Sequence, residues 1–441
     1  MIQTLRNAFK VAEIRRRLAF TLLIIVIVRL GSQIPTPGIN TEYLRYWFES
    51  QMSSPFNFFT SITGMSFTTM SVFALGISPY ITSSIIIQLL TIAIPKLEEL
   101  QKEGAEGRKK IIQITRVLTV ALAVIQSVSM AIGFGTNYLT NYTWYNVILV
   151  ALIMTAGSTV LMWFGEQITL RGIGNGISII LVINILDTLP DDLMTLYEHF
   201  VSGQPIALGI VISLVILALL FGLVLFVVYL QGGERRIPVQ YAKKMVGRKM
   251  VGGQSANIPI KVNTAGVIPV IFAASLLSLP SMIAGFAGIN VTNPTTVAGH
   301  IIKGLSQSSW CNPDEPIYSL GLLLYIVLLI FFAYFYTSIS FNPLEIANNM
   351  KKQSGFIPGI RPGKPTSDYL NHVLNYIVFI GAIGLLIVAL IPIVLFGLFG
   401  VGSSLSFLGT SLIIIVGVVL ETLKKVESMM LVRNYKGFLN D

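Results

Sequence analysis

Residues 71–90 read SVFALGISPYITSSIIIQLL, a run long enough and apolar enough to cross a bilayer as a helix. A helix facing only lipid has no use for Gly76 and Pro79 near its start, or for Ser78, Thr82, Ser83, Ser84 and Gln88 spaced through it. Ile77, Ile81 and Ile85 recur at i, i+4 and i+8 and make one greasy stripe, and Ser78 and Thr82 form the stripe beside it. Small polar residues in a span serve tight packing between helices. They also suit a helix that lines a cavity whose narrowest point is apolar, a constriction that blocks ions by dewetting.

The rest of the chain is of the same kind. Of 441 residues, 54% are hydrophobic and only 11% charged, and the mean hydropathy of +0.76 lies far from that of a soluble globular domain. Apolar runs long enough to span occur ten times, at residues 18–34, 75–94, 117–135, 146–165, 174–190, 206–230, 264–288, 317–339, 373–396 and 405–424. The first follows a basic stretch, Lys10 and Arg15 to Arg17, but no small-residue cleavage pattern ends it, so it is expected to be retained. Cys311 is the only cysteine, which excludes an internal disulfide and a cysteine-based metal cluster. His199, His300 and His372 fall in or beside loops far apart in sequence and read as solvated or satisfied, not as a metal site.

Lys and Arg accumulate in the short cytoplasmic connections of membrane proteins, so their placement tests the span count. With ten spans, all 30 fall in the N-terminal segment, the even-numbered connections and the C-terminal tail, except Arg45 and Lys303 on the opposite side and Arg29 within the first span. Both termini are therefore expected in the cytoplasm, with the net charge of +10 concentrated on that face. Five spans in each half make the second half enter the membrane from the opposite side to the first, the arithmetic of an inverted repeat.

Two connections on the basic side exceed what topology requires. Residues 231–263 and 340–371 combine basic residues with Gly and Pro turn formers, a composition suited to a protruding hairpin or loop that docks a large cytosolic partner. Contact with anionic lipid headgroups is the alternative.

The spans lack the carboxylates, histidines and lysines that an ion-coupled transporter keeps in the membrane to bind ions or relay protons. Glu166, Asp187 and Glu421 are placed at span ends, and Arg29 is the one clearly internal charge, expected to meet a backbone carbonyl, a polar side chain or a headgroup. No Walker loop, nucleophile elbow or HExxH motif occurs, so the chain is read as no enzyme and as needing no cofactor; energy for any work comes from another protein. Before the opening helix, SPFNFFTSITGMSFTTMS (54–71) is too short and too rich in Ser and Thr to cross alone. Gly64 lets it fold back as a half-inserted segment, tolerated at depth only where it is buried in protein or lines water; a loop on the outer surface satisfies the same pattern.

At this point a resemblance becomes specific. FALGISPYITSSIIIQLL, EGRKK, GEQITLRGIGNGISII, RRIPVQYAKK, IPIKVNTAGVIPVIFA, FNPLEIANNMKK and GFIPGIRPGKPT run in order through nearly the whole chain and look like the successive signature segments of the SecY family, the channel-forming subunits of the Sec protein translocase. The resemblance implies an all-α membrane protein of ten transmembrane helices in two inverted five-helix halves, residues 1–190 and 191–441, hinged like a clamshell around an hourglass pore. Carried over residue by residue, the waist is a ring of Ile77, Ile81, Ile177, Leu181, Ile271 and Ile414. The plug, at about 57–72, is centred on Ile62, Thr63, Gly64, Met65, Ser66, Phe67, Thr68, Thr69 and Met70. A lateral gate runs between Thr82 and Gln88 on one side and Leu279 on the other.

Arg361, with Arg235, Arg236, Lys243, Lys244, Arg248 and Lys249, stands where the family docks the ATPase SecA or the ribosome. The implied partners are SecE and SecG, SecA, the ribosome, membrane lipids, and secretory and membrane proteins with signal sequences, all at the cytoplasmic membrane. Nucleic acid is met only through the ribosome. Family plugs commonly carry paired glycines and often a charge, whereas here Gly64 is followed by Met65 and the segment is uncharged. A ring of branched aliphatic side chains makes no directional bonds, so it closes on any polypeptide and still excludes hydrated ions. A secondary transporter for a small solute and a membrane scaffold without a pore are the competing classes.

Overall fold

A computed structural model describes the chain apart from residues 1–8, 10, 42, 44–56, 134–137, 140, 242–243, 247–248, 252–254, 287–293, 295, 314, 400–407 and 438–441. In chain order the described helices begin with α1 (Ala12–Ser32), the short pair α2 (Asn57–Thr63) and α3 (Met65–Thr68), α4 (Ser78–Ala93) and α5 (Pro95–Lys102). Then come α6 (Ala105–Gly133), α7 (Trp144–Arg171), α8 (Gly176–Phe200), α9 (Ile206–Gly232), α10 (Ile268–Phe286) and α11 (Val297–Leu305). The last four are α12 (Leu320–Ser340), α13 (Pro343–Lys352), α14 (Lys364–Phe399) and α15 (Leu408–Gly437). Among the described residues a helix stands at each of the ten expected spans: α1, α4, α6 to α10, α12, α14 and α15.

Length and apolarity alone qualify five of these as membrane spans, namely α6, α7, α9, α12 and α14, with α4 and α5 a sixth as a pair bent by 105° at the Ile94–Pro95 break. Charge and length separate the other four. Helix α1 carries Arg15, Arg16, Arg17 and Arg29, α8 carries Asp187, Asp191 and Asp192, and α15 carries Glu421, Lys424 and Lys425. The apolar part of α10 is shorter, at Ile268–Ser281. Several helices outrun the expected spans: α8 continues past Pro190 to Phe200, and α6 begins at Ala105. Asp187 is therefore interior to its helix.

Local sequence sets the helix starts. Asn175 caps α8 by accepting hydrogen bonds from the N–H groups of Ile177 (3.2 Å) and Ser178 (3.5 Å), and Asn342 caps α13 in the same way, with Pro343 in the first turn where its missing N–H costs nothing. The segment before α4 turns at Gly76, whose φ of +57° suits glycine and whose Cα lies so close to Thr63 at the end of α2 that an added Cβ comes to 2.7 Å of its methyl carbon. Ser158 of α7 fixes this turn by donating to the Gly76 carbonyl at 3.0 Å.

Apolar burial falls into a central cluster and satellites. The central one joins Ile62 of α2, Leu181 and Ile185 of α8, Val227 of α9, Phe272 and Leu277 of α10, Leu329 of α12, Leu385 of α14 and Ile414 of α15. Helix α9 buries little else and presents Val211, Leu214 and Phe221 outward, the pattern of a helix with lipid or a membrane partner for solvent.

The basic connections fold as one unit. Strand β1 (Glu234–Tyr241) leads into the small hairpin β2 (Lys244–Val246) and β3 (Lys249–Val251) and returns as β4 (Ser255–Lys261); β5 (Gly355–Phe356) comes from the later connection. The sheet order is β4-β1-β5, all antiparallel, with Glu234 opposite Lys261 and Gln240 opposite Phe356. Ile237, Val239 and Ile260 turn inward onto Met350 of α13 and Leu370, Val373 and Ile377 of α14.

Candidate functional site

A cavity of about 270 Å³ lies where α4, α8, α10 and α15 converge. Ile81, Ile177, Leu181, Ile271 and Ile414 line it, with Tyr80, Ser84, Gln88, Phe272 and Tyr336. Five of the six side chains assigned to the ring thus meet at one place, although they are drawn from positions as far apart as 81 and 414. Ile77 is not among them. It is 2% exposed, at the N-cap of α4, and packs with Ile24, Val28, Phe73, Leu161, Ile168 and Ile180 beside Ile81 and Ile177.

From Ile62 to Ser71 most of the segment is buried against the rest of the protein. Ile62 shares the central cluster with Leu181, Phe272 and Ile414. Phe67 and Met70 pack in a second cluster with Leu75, Ala123, Met130 and Met154. Thr63, Gly64 and Ser66 are buried, Thr68 is half-buried, and Met65 and Thr69 are exposed.

Thr82 is half-buried and spends its hydroxyl on the Ser78 carbonyl of its own helix at 3.0 Å. Gln88 lines the cavity, donates to the Ser84 hydroxyl at 3.4 Å and leaves its Oε1 without a partner among the described residues. Leu279 is half-buried on α10, which packs against α6 and α2. Gln126 on α6 and Ser281 on α10 also bury polar atoms without partners among the described residues. The sequence reading passed over both; an amide or hydroxyl inside an apolar run is the signal that marks them.

Arg235 and Arg236 are exposed on β1. Arg236 pairs with Glu234 at 2.6 Å and holds that carboxyl below its ordinary range. Lys243 and Arg248 lie outside the described residues, and Lys244 and Lys249 fall on β2 and β3. Arg361 is exposed in a turn shaped by positive φ at Gly359 and Gly363, anchored by buried Ile357, and closed by Thr366, whose hydroxyl donates to the Arg361 carbonyl at 2.8 Å.

Arg29 departs from expectation. Its partner is a carboxylate, Asp187 of α8, which lies beside the end of α1. Glu166 likewise pairs with Arg116 of α6 at 2.6 Å.

The family model described as SecY matches residues 71–423. The chain belongs to the SecY family. Along their whole lengths, this SecY-family chain is 44% identical to the protein translocase subunit SecY of Streptomyces galbus and 41% identical to that of Halalkalibacterium halodurans. A solved structure described as that of a protein-conducting channel covers 94% of this chain and 92% of its own, with a TM-score of 0.62 at 19% identity. Sec61 in a canine ribosome–channel complex covers the same shares with a TM-score of 0.60 at 18% identity. The fold is accordingly that of the SecY channels: all-α, ten-helix, a clamshell of inverted halves in the membrane. SecY proteins form a family of protein-conducting channels, not of enzymes, and the small-solute transporter reading finds no support in these comparisons.

Proposed function

We propose that this chain forms the pore through which unfolded secretory polypeptides cross the cytoplasmic membrane, and from which signal and transmembrane helices leave sideways into lipid. One observation carries the reading: five aliphatic side chains from four helices meet at a single cavity, with Ile62 of the α2–α3 segment packed on the same cluster. Such a surface binds no sequence in particular, yields to a threading chain and closes to ions when empty.

In this reading Ile81, Ile177, Leu181, Ile271 and Ile414 form the seal, Ile77 braces it from behind, and residues 57–72 are the plug. The halves 1–190 and 191–441 part along a gate between α4, carrying Thr82 and Gln88, and α10, carrying Leu279. Gln88 of α4 and Ser281 of α10 each bury a polar atom without a partner among the described residues, which makes a dry, tightly closed contact between those helices costly. Both termini and the β4-β1-β5 sheet face the cytoplasm, as the distribution of Lys and Arg requires. Arg361, Arg235 and Arg236, with Lys243, Lys244, Arg248 and Lys249, dock SecA or the ribosome, which supplies the energy. SecE and SecG complete the channel, and exposed α9 is one surface available to a membrane subunit.

The test is reconstitution of the chain with SecE and SecG in liposomes, followed by addition of SecA, ATP and a secretory precursor. ATP-dependent protection of the precursor from external protease is expected. No protection above liposomes lacking the chain would remove the proposal.

A further inference from the structure

Three elements meet at Asp187. Its Oδ1 pairs with the Arg29 guanidinium of α1, and its Oδ2 accepts the backbone N–H of Met65, the first residue of α3, at 3.2 Å. The Asp187 side chain is 7% exposed, so its carboxylate is largely withdrawn from water and takes up both contacts. Gly64 brings the backbone this close: with φ of +71°, its Cα lies where an added Cβ comes to 2.7 Å of the Asn184 carbonyl and 3.2 Å of the Asp187 carboxylate. Residues 57–72 carry no charge, so this N–H to carboxylate bond is the charge-assisted hold on a segment whose end, at Met70 and Val72, also exchanges backbone hydrogen bonds with Thr36 and Ile34.

We propose that Asp187, oriented by Arg29, is the positioning residue that latches the plug in the closed channel; this rests on the reading of residues 57–72 as the plug. Apolar contacts of α2 and α3 are non-directional and permit sliding. A carboxylate on the backbone N–H at the start of α3 fixes one register. Arg29 performs two tasks, joining α1 to α8 and balancing a carboxylate that is costly to bury alone. Displacing the plug breaks the Met65 bond and leaves the ion pair intact, so the latch re-forms without moving a charge through the membrane.

The experiment uses the full chain with its membrane partners in proteoliposomes, with Cys311→Ser and a reporter Ser66→Cys at a position that is 3% exposed. Labelling by a membrane-impermeant maleimide and resting ion conductance are read without SecA or precursor. The double change Arg29→Leu with Asp187→Leu removes both charges, and the swap Arg29→Asp with Asp187→Arg restores the pair but puts no acceptor beside Met65. Both are expected to raise labelling and leak about tenfold, the loss of one charge-assisted hydrogen bond. Should the swap not assemble, Asp187→Asn keeps the shape without the charge and is expected to raise labelling several-fold. A swap, or an Asp187→Asn protein, as tightly sealed as the unaltered channel overturns the latch. Ile62→Ser separates the two readings: if it leaks while every Asp187 variant stays sealed, the latch alone fails, and if it also stays sealed, the plug reading fails with it.

Discussion

Gln240 of β1 lies opposite Phe356 of β5 in an antiparallel pair, so two connections separated in sequence by α10 and α12 form one sheet. The sheet is seated by Ile237, Val239 and Ile260 on the first turns of α14, a short reach from the turn that exposes Arg361. Both basic connections are therefore tied through this sheet to one apolar cluster with α12 to α14.

Truncating that seat tests the coupling. Ile237→Ala removes a side chain that is 2% exposed and is expected to cost about 2–4 kcal/mol locally. Hydrogen exchange or limited proteolysis should then show lost protection in both 231–263 and 340–371. Loss confined to the first connection would show that the sheet does not join them.

Arg361→Glu reverses a charge on an exposed side chain, so the protein should fold and assemble normally. SecA-driven export is expected to disappear. Raising salt should weaken SecA binding to the unaltered channel in the same direction, because screening acts on exposed charges. Normal export by the variant would withdraw Arg361 from the docking surface.

The two kinds of ring position should behave differently. Ile81→Asn and Ile414→Asn put an amide into the cavity lining and are expected to raise resting conductance and admit defective signal sequences. Ile77→Asn buries its amide behind the lining, at a cost of about 1–3 kcal/mol, and should lower yield or thermal stability with little selective leak. Equal leak from all three, measured in planar bilayers, would place Ile77 in the seal after all.

Gly64→Ala probes the plug backbone. The φ of +71° and the 2.7 Å approach to the Asn184 carbonyl give a substitution penalty of about 1–3 kcal/mol. The strain falls on the closed position, so faster labelling of a buried plug cysteine is expected, without loss of the folded channel. Unchanged labelling would mean that the segment relaxes around the added methyl.

Much of this was legible before any coordinates. Ten helices appear where ten apolar runs stand, since a span must satisfy its backbone internally and declares itself by length and hydropathy. The cap at Asn175 and the Asn342–Pro343 start are equally local. Arg29 could be marked as needing a partner, but not matched to Asp187, because the pairing depends on how α8 packs beside the end of α1, two elements far apart in sequence. The sheet was hidden for a related reason: β5 is two residues long and exists only through its pairing with β1.

Hydropathy, charge placement and motif order are properties of short stretches, and by themselves they determined a ten-span membrane channel with a basic face. Which isoleucines share a cavity, which one stands behind it, and which carboxylate holds Met65 were decided only by the tertiary structure. Every span is rich in isoleucine, and period alone cannot separate a side chain facing lipid from one facing the axis. That choice is made by how helices distant in sequence pack around one another.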